Sequence, residues 1–374
     1  MEQKSLLAAQ LKKKHQYFLN HPSEKKRCFI GFDGFTDEIV KTVATRESCT
    51  KMTPMKKIAE LAERISQASS LSGNVEFIVT HTKIGGNAPI LTDALLKGGH
   101  LITFAGSIGK NNFVEPLFQE MADGCEEVFP LGPSSHSDAL EFEDGKIIFG
   151  KLENLKNITY EQLVTTIGLS KLKEIFERST LFISANWTML TTMNHFWAMI
   201  LKEILPLSKK KRWLFVDLAD PTKRTDADLK EALNLLKKFS STYYVIQGLN
   251  EAEAMRVAKV LSLPIKGNSQ ENLLDLAQAI RLASGLQEVI IHATQFACST
   301  AEEGSWIVQG PYTEKPLITT GAGDNFNAGY CNALLYDLNG EQRLLAGVAT
   351  SGYYVRTGKS PTIDQLVEFL QKWR

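Results

Sequence analysis

The stretch Ile318–Tyr330, ITTGAGDNFNAGY, sets two glycines and an aspartate between a β-prone run and a helix-prone one. Three chemistries use turns of this kind. A dinucleotide fingerprint requires G-x-G-x-x-G, but Phe326 stands three places after Gly323, and the turn lies far from any first βαβ unit. A P-loop requires G-x-x-x-x-G-K-[ST]. The one Gly-Lys-Ser, at Gly358–Ser360, follows Gly352 with five intervening residues and no strand before it. The remaining chemistry is anion binding at a helix N-terminus. A helix starting near Gly323 turns the N–H groups of Gly321, Ala322, Gly323 and Asp324 toward one point. Unpaired donors and partial positive charge there favour a transferring phosphoryl group. Glycine is needed because Cβ atoms would block close approach. Asp324 then either takes a proton from an attacking hydroxyl or serves only as an N-cap; both readings stay open from this motif alone.

ITTGAGDNFNAGY resembles the C-terminal signature of the ribokinase-like (PfkB) carbohydrate kinases, roughly D-T-x-G-A-G-D-x-F-x-A-G, and departs from it at Ile318, where aspartate is usual. Other landmarks appear in that family's order from about Phe29 onward. GFDGFTDEIV resembles the end of the first strand, where an aspartate binds sugar hydroxyls. A carboxylate accepts from two hydroxyls at once, which suits a vicinal diol. The spacing admits either Asp33 or Asp37 as that ligand. Gly85-Gly86-Asn87 resembles the Gly-Gly turn that approaches the substrate. GSIGKNNF (Gly106–Phe113) is similar to G-x-x-G-x-D-x-x-G, with asparagine in the acidic place, and VDLADPTKR resembles the strand end D-x-N-x-R. Asn250 to Glu253 match N-x-x-E, which in the family orients phosphate and the water shell of a magnesium ion. Thr320 and Thr294 complete the expected nucleotide- and phosphate-binding set.

The resemblance implies transfer of the γ-phosphoryl group of ATP, as its Mg2+ complex, to a hydroxymethyl or other hydroxyl of a sugar-like acceptor. Such transfer has a loose transition state, so alignment and charge stabilisation carry the catalysis. Asp324 would activate the hydroxyl while the N–H groups of Gly321, Ala322 and Gly323 stabilise the moving charge. Glu253 would act on Mg2+ through water. A monovalent cation often sits beside the anion site, held by backbone carbonyls. One departure bears on ATP use. The family has T-x-G-x-x-G after the strand corresponding to VIIH, and this chain has His292-Ala293-Thr294-Gln295-Phe296-Ala297, without either glycine. A second reading therefore stands beside the first: a weak or inactive ribokinase-fold protein that binds a sugar or nucleoside in a regulatory role. The acceptor is expected to be a neutral hexose, pentose or nucleoside, since no lysine lies in the GGNAP turn, although Lys83 or Arg224 could reach a phosphorylated one.

Positioning these residues requires a scaffold. Short apolar runs at Cys28–Gly31, Val75–Val79, Leu101–Ala105, Leu181–Ser184, Trp213–Asp217, Tyr243–Ile246 and Val289–His292 alternate with helical patterns such as Met55–Ala68 and Ile90–Leu96. Alternation of this kind predicts an α/β fold with a mainly parallel sheet covered on both faces. With the resemblance, the fold expected is a ribokinase-like three-layer α/β/α sandwich with a small β lid. Asp138–Lys151 alternates in polarity around Asp144-Gly145, a hairpin signal. Residues 1–27 read as an N-terminal helical extension and 28–374 as the kinase domain, with lid strands around 36–45 and 138–152. The lid would close over the sugar, excluding water, and would either cover a monomer or pair with a second subunit in a homodimer.

Composition narrows the partners. The 374 residues are 43% hydrophobic, and 42 Lys+Arg balance 42 Asp+Glu, so no overall field draws the chain to nucleic acid or an anionic membrane. The runs Lys12–Lys14 and Lys209–Arg212 read as solvated faces. Five widely spaced cysteines with no C-x-x-C pair point to a reducing compartment, and no stretch of about eighteen apolar residues occurs. A cytoplasmic protein without membrane or nucleic-acid partners is expected.

Overall fold

A computed structural model describes residues 2–205 and 212–373. Its strands, in chain order, are β1 (Arg27–Phe32), β2 (Phe35–Arg46), β3 (Met52–Pro54), β4 (Phe77–Gly85), β5 (Leu101–Gly106), β6 (Gly109–Lys110), β7 (Phe113–Val114), β8 (Glu127–Pro130), β9 (Ser135–Phe142), β10 (Gly145–Lys151), β11 (Leu181–Ser184), β12 (Arg212–Asp217), β13 (Tyr243–Asn250), β14 (Glu288–His292), β15 (Phe296–Ala301) and β16 (Ser305–Gln309). Nine of them form one sheet in the order β16-β15-β14-β13-β12-β11-β1-β5-β8. It is parallel from β8 to β14, and β15 and β16 return antiparallel at one edge.

Neighbouring residues along each central strand feed two different cores, because side chains alternate across a sheet. Phe29, Leu214, Val245 and Val289 join one apolar cluster; Ile30, Phe215, Ile246 and Ile290 join the other. The first cluster is closed by helices that include Leu169–Arg178, Asp226–Phe239 and Gln270–Ser284. Helices Asn87–Leu96, Ala322–Leu335, Gly340–Thr357 and Ile363–Lys372 close the second. The sandwich is therefore three-layered. Leu7, Leu11 and Phe18 of the helix Glu2–Asn20 lie in the same core as Leu366 and Leu370, so this N-terminal helix packs against the domain.

A second sheet of five strands stands beside the first. β2 is its axis, with β9 parallel on one side and β4 antiparallel on the other; β10 extends β9 and β3 pairs the far end of β2. Val40 and Leu140 pack with Met55 and Leu61 of the segment leading into and through helix Ile58–Gln67. The Asp-Gly hairpin forms as read, and Asp144 Oδ1 accepts the N–H of Ile58 at 3.0 Å, tying the turn to that helix.

Three readings need correction. The strand read at Val75–Val79 as a member of the main sheet is β4, which runs on to Gly85 inside the small sheet; its exposed alternation marks a strand but not which sheet takes it. Helix Asn87–Leu96 starts three residues before Ile90, because Asp33 caps it from a distance. Of the run Lys209–Arg212, the three lysines lie outside the described residues. Arg212 is no solvated charge: it opens β12, is buried, and meets the Glu177 carboxylate at 2.9 Å.

Candidate active site

In doubly wound sheets ligands bind beyond the carboxyl ends of the parallel strands. Asp33 follows β1, and Asp217, Asn250 and His292 end β12, β13 and β14. Helix Ala322–Leu335 points its N-terminus at the same rim, and Asp324 through Leu335 are all buried, so the position of that terminus is set by packing. Gly321, the residue before the helix, has φ +92°, and a Cβ there would meet Tyr354 Oη at 2.9 Å. Tyr354 in turn donates its hydroxyl to Thr320 O at 2.8 Å. Of the expected anion donors, Ala322 is engaged within the turn: its N–H is given to Thr319 O at 3.2 Å. The N–H groups of Gly323 and Asp324 sit in the first turn, where no intrahelical acceptor exists, and Gly321 supplies no capping side chain.

Asp324 is 6% exposed and accepts the Asn87 side-chain amide at 2.8 Å. Burial, reinforced by the charges of Asp217 and Asp33, holds its carboxyl well above the usual carboxylate range, although Asn87 and Lys83 pull the other way. A carboxylate with raised proton affinity suits general-base work.

Asp33 and Asp37 prove unlike. Asp33 is fully buried: Oδ1 accepts the Ala88 N–H at 2.8 Å, and Oδ2 accepts the Asn87 N–H at 2.9 Å and the Asn186 amide at 2.6 Å. It fixes the start of helix Asn87–Leu96, and through it the reach of Asn87 to Asp324. Asp37 lies on β2 in the small sheet, where Oδ1 accepts the Ser137 hydroxyl at 2.6 Å. Burial raises its proton affinity, opposed by Ser137, Lys83, His136 and Lys146. Its carboxylate rests on the Gly85 backbone so closely that a Cβ on Gly85 would fall 2.2 Å from Asp37 Cγ. Gly86 intervenes between this strand end and the helix.

A cavity of about 490 Å³ opens on the other side of the helix N-terminus, with Asn250, His292, Thr294, Thr319, Ala322 and Gly323 in its wall. A Cβ added to Gly323 would meet only the His292 ring, at 3.5 Å from Cε1 and 4.0 Å from Nε2, so the space beside that backbone is open. His292 stacks on Phe326 at 4.8 Å, and burial pushes its imidazole down to about 4, keeping it neutral. The turn that lacks the two glycines does not close this cavity; Ala293 and Thr294 form part of its wall. Thr320 is not part of that wall; its hydroxyl oxygen accepts from the Lys146 ammonium instead.

Asn250 and Glu253 form a reciprocal capping box on helix Glu251–Val260. Glu253 is buried, with Oε2 accepting the Asn250 N–H and Oε1 the Asp220 N–H, both at 2.8 Å. Each oxygen keeps a lone pair, so contact with a cation's water shell is compatible with these bonds, and direct ligation is disfavoured. Asp217 accepts the Ala219 N–H at 2.8 Å and the Asn327 amide at 2.7 Å. Burial and the neighbouring Glu253 charge push its carboxyl up to about 7. Carboxylates gathered in a dry rim with raised proton affinity form a donor set that fits a hard divalent cation. Glu38, His136 and Asp138 also have metal-ligand spacing, but they lie on the other face of the small sheet from Asp37, and Lys151 neutralises Asp138 at 2.9 Å.

Asp217, Asn186, Asn327 and Lys146 were not singled out from sequence. Asp217 had a signal, an aspartate at the end of a central strand in the quoted VDLAD; the other three had none stronger than their type.

The sequence profile of the prokaryotic ketohexokinases matches residues 12–373. A ketohexokinase of Haloferax volcanii is 26% identical over 346 residues, covering 92% of this chain and 90% of that protein. Among solved structures, a ribokinase from Thermotoga maritima superposes with a TM-score of 0.61 at 16% identity, over 93% of this chain and 100% of that one. An Arabidopsis thaliana ribokinase superposes with a TM-score of 0.63 at 14% identity, over 93% and 99%. These likenesses bear out the ribokinase-like fold and the reading as a sugar-phosphorylating enzyme, and they lend nothing to the regulatory alternative. Among the described residues no helix is long and apolar enough to cross a membrane. The chain belongs to the prokaryotic ketohexokinase family, and it is a carbohydrate kinase.

Proposed function

We propose that the protein transfers the γ-phosphoryl group of Mg2+-ATP to a hydroxymethyl group of a ketohexose such as fructose. One observation carries this reading: Asp324 links the cavity wall to the Gly85-Gly86-Asn87 turn. Its helix N-terminus walls the 490 Å³ cavity, and its carboxylate is bonded to Asn87, the residue after the Gly85-Gly86 pair beside Asp37. A nucleotide triphosphate in the cavity and a sugar against Asn87 and Asp37 would present their reacting atoms to one carboxylate. The Haloferax relative supports the ketohexose as acceptor.

In this reading the sugar oxygen attacks the γ-phosphorus, its proton passes to Asp324, and the bond to the ADP oxygen breaks. The N–H groups of Gly321, Gly323 and Asp324 face the charge on the transferring group. Ala322 joins them only if its bond to Thr319 opens. Asn250, Thr294 and Thr320 contact phosphate or nucleotide, with Thr320 acting at the edge of the cavity. Mg2+, where bound, neutralises phosphate charge, and Asp217, Asn250 and Glu253 would hold its water shell. Asp37 is the sugar ligand in this assignment, since the Asp33 oxygens already serve three protein donors. We further propose a monovalent cation on carbonyls beside the anion site, a cytoplasmic location, and residues 28–374 as the kinase unit behind an N-terminal helix. The small sheet would serve as lid and as homodimer contact.

ADP release measured over fructose, other ketohexoses, glucose, ribose, adenosine and fructose 6-phosphate tests the acceptor. The highest kcat/KM is expected for a neutral ketohexose. A preference of more than tenfold for ribose or adenosine would overturn the assignment, and sugar-induced thermal stabilisation without turnover would restore the binding-protein reading.

A further inference from the structure

Two lysines of the small sheet converge on the anion-binding turn from outside any motif that marks the site. Lys83 on β4 faces Asp37 in the β2–β4 register and reaches Thr320 O at 3.5 Å. Lys146 on β10 donates to Thr319 Oγ1 at 3.0 Å and also to Thr320 Oγ1, across 173 positions of chain. Their present partners at the turn are a carbonyl and two neutral hydroxyls, so neither ammonium has a full counter-charge there. Partial desolvation lowers the proton affinity of both, and Lys83 lowers that of Lys146 further. Lys83 is half-buried and Lys146 is open to solvent on one side, so two like charges beside the N-terminus of helix Ala322–Leu335 leave room for an anion and are relieved when one shares the site. Asp37 and Glu141 offset both lysines in part, and Asp324 offsets Lys83 as well.

We propose that Lys83 and Lys146 are a lid-borne clamp for the transferring phosphoryl group: on substrate binding their ammonium groups exchange Thr319 and Thr320 for phosphoryl oxygens. This rests on the kinase reading above. Because both lysines share a sheet with Asp37, the charge that stabilises the transition state is delivered by the element that carries the sugar ligand. Phosphoryl activation is thereby tied to an occupied sugar site, which disfavours transfer to water.

The test compares wild type, Lys146→Met, Lys146→Arg and Lys83→Met in the same ADP-release assay with fructose. It also measures the affinity of each for ADP with aluminium fluoride in the presence of fructose. Loss of a donor to a developing oxyanion typically costs 10²–10³ in kcat. We expect kcat of Lys146→Met to fall about 10²-fold, with KM for fructose within about threefold. Affinity for the ADP–aluminium fluoride complex falls in parallel, affinity for ADP alone does not, and Lys146→Arg recovers most of the loss. Lys83→Met loses kcat likewise and also weakens fructose binding through Asp37. A merely structural lysine would lower the melting temperature and leave the ratio of analogue to ADP affinity unchanged; that result overturns the clamp. An active wild type with an unaffected Lys146→Met sinks the clamp alone, whereas a wild type inactive on every sugar sinks the kinase reading itself.

Discussion

Replacing Asp324 by Asn removes the proposed base while keeping its shape. The Asn87 amide that now donates to Asp324 at 2.8 Å would face an amide, and a flip of the Asn87 side chain restores a donor–acceptor pair. The Asn87 N–H stays with Asp33, so helix Asn87–Leu96 keeps its start. Burial and the charges of Asp217 and Asp33 disfavour an ionised Asp324, so a neutral amide relieves a cost and the melting temperature should hold or rise. General-base catalysis is typically worth 10²–10⁴ in rate, so kcat should fall by that factor, about 2.7–5.4 kcal/mol on the barrier. KM for fructose should change little. Coupled ADP release and thermal denaturation read the two effects separately. The pH profile gives a second check: the base must be ionised, so its raised proton affinity moves the acid limb of kcat/KM above the ordinary Asp range, and Asp324→Asn erases that limb. A variant that retains more than a tenth of wild-type kcat with the limb unmoved would refute the role.

Asp33→Ala strands the buried N–H groups of Asn87 and Ala88 and the Asn186 amide, at about 1–3 kcal/mol each, and should unfold at markedly lower denaturant. Asp37→Ala should instead raise KM for fructose with a small change in stability, and the reverse pattern would exchange the two assignments. Gly323→Ala meets only the His292 ring, at ordinary contact distance, so its melting temperature should stay near wild type while KM for ATP rises; unchanged KM would remove Gly323 from the phosphate site. Asp217→Asn can bond the Asn327 oxygen, which has no partner now, after an amide flip. Wild-type Asp217 favours folding below about pH 4, and that contribution is lost as pH rises to about 7. The variant should therefore be the more stable form near neutral pH and need more Mg2+ for half-maximal rate. Equal melting temperatures at pH 7.5 would contradict the charge assigned to Asp217.

Local constraints were the legible part of this protein. The GAGD turn was readable because positive φ at Gly321 and an open face at Gly323 each demand glycine over a few residues. The Asn250–Glu253 pair was readable only through its likeness to the N-x-x-E motif, and the same spacing lets the two residues close a capping box. Alternation gave the layered sheet for the same reason. What depended on distant chain was hidden. Nothing near Asp33 signals that Asn186 will reach it, and nothing near Lys146 signals the Thr319-Thr320 turn. Arg212 looked solvated beside three lysines, although the first residue of a buried strand must find a partner, here Glu177. The 318–330 motif does not signal that the Ala322 N–H is taken up, because whether a first-turn N–H is free depends on how the preceding Thr319 carbonyl folds over it.

The central claim is that a sugar hydroxyl, held beside Asn87 and Asp37, receives phosphate at Asp324. Incubating the enzyme with uniformly ¹³C-labelled fructose and Mg2+-ATP, and recording carbon–phosphorus coupling by NMR, tests it most directly. The expected result is splitting of one hydroxymethyl carbon by phosphorus with wild type and none with Asp324→Asn. Accumulation of free phosphate with every fructose carbon unsplit, or equal product from Asp324→Asn, would contradict the account.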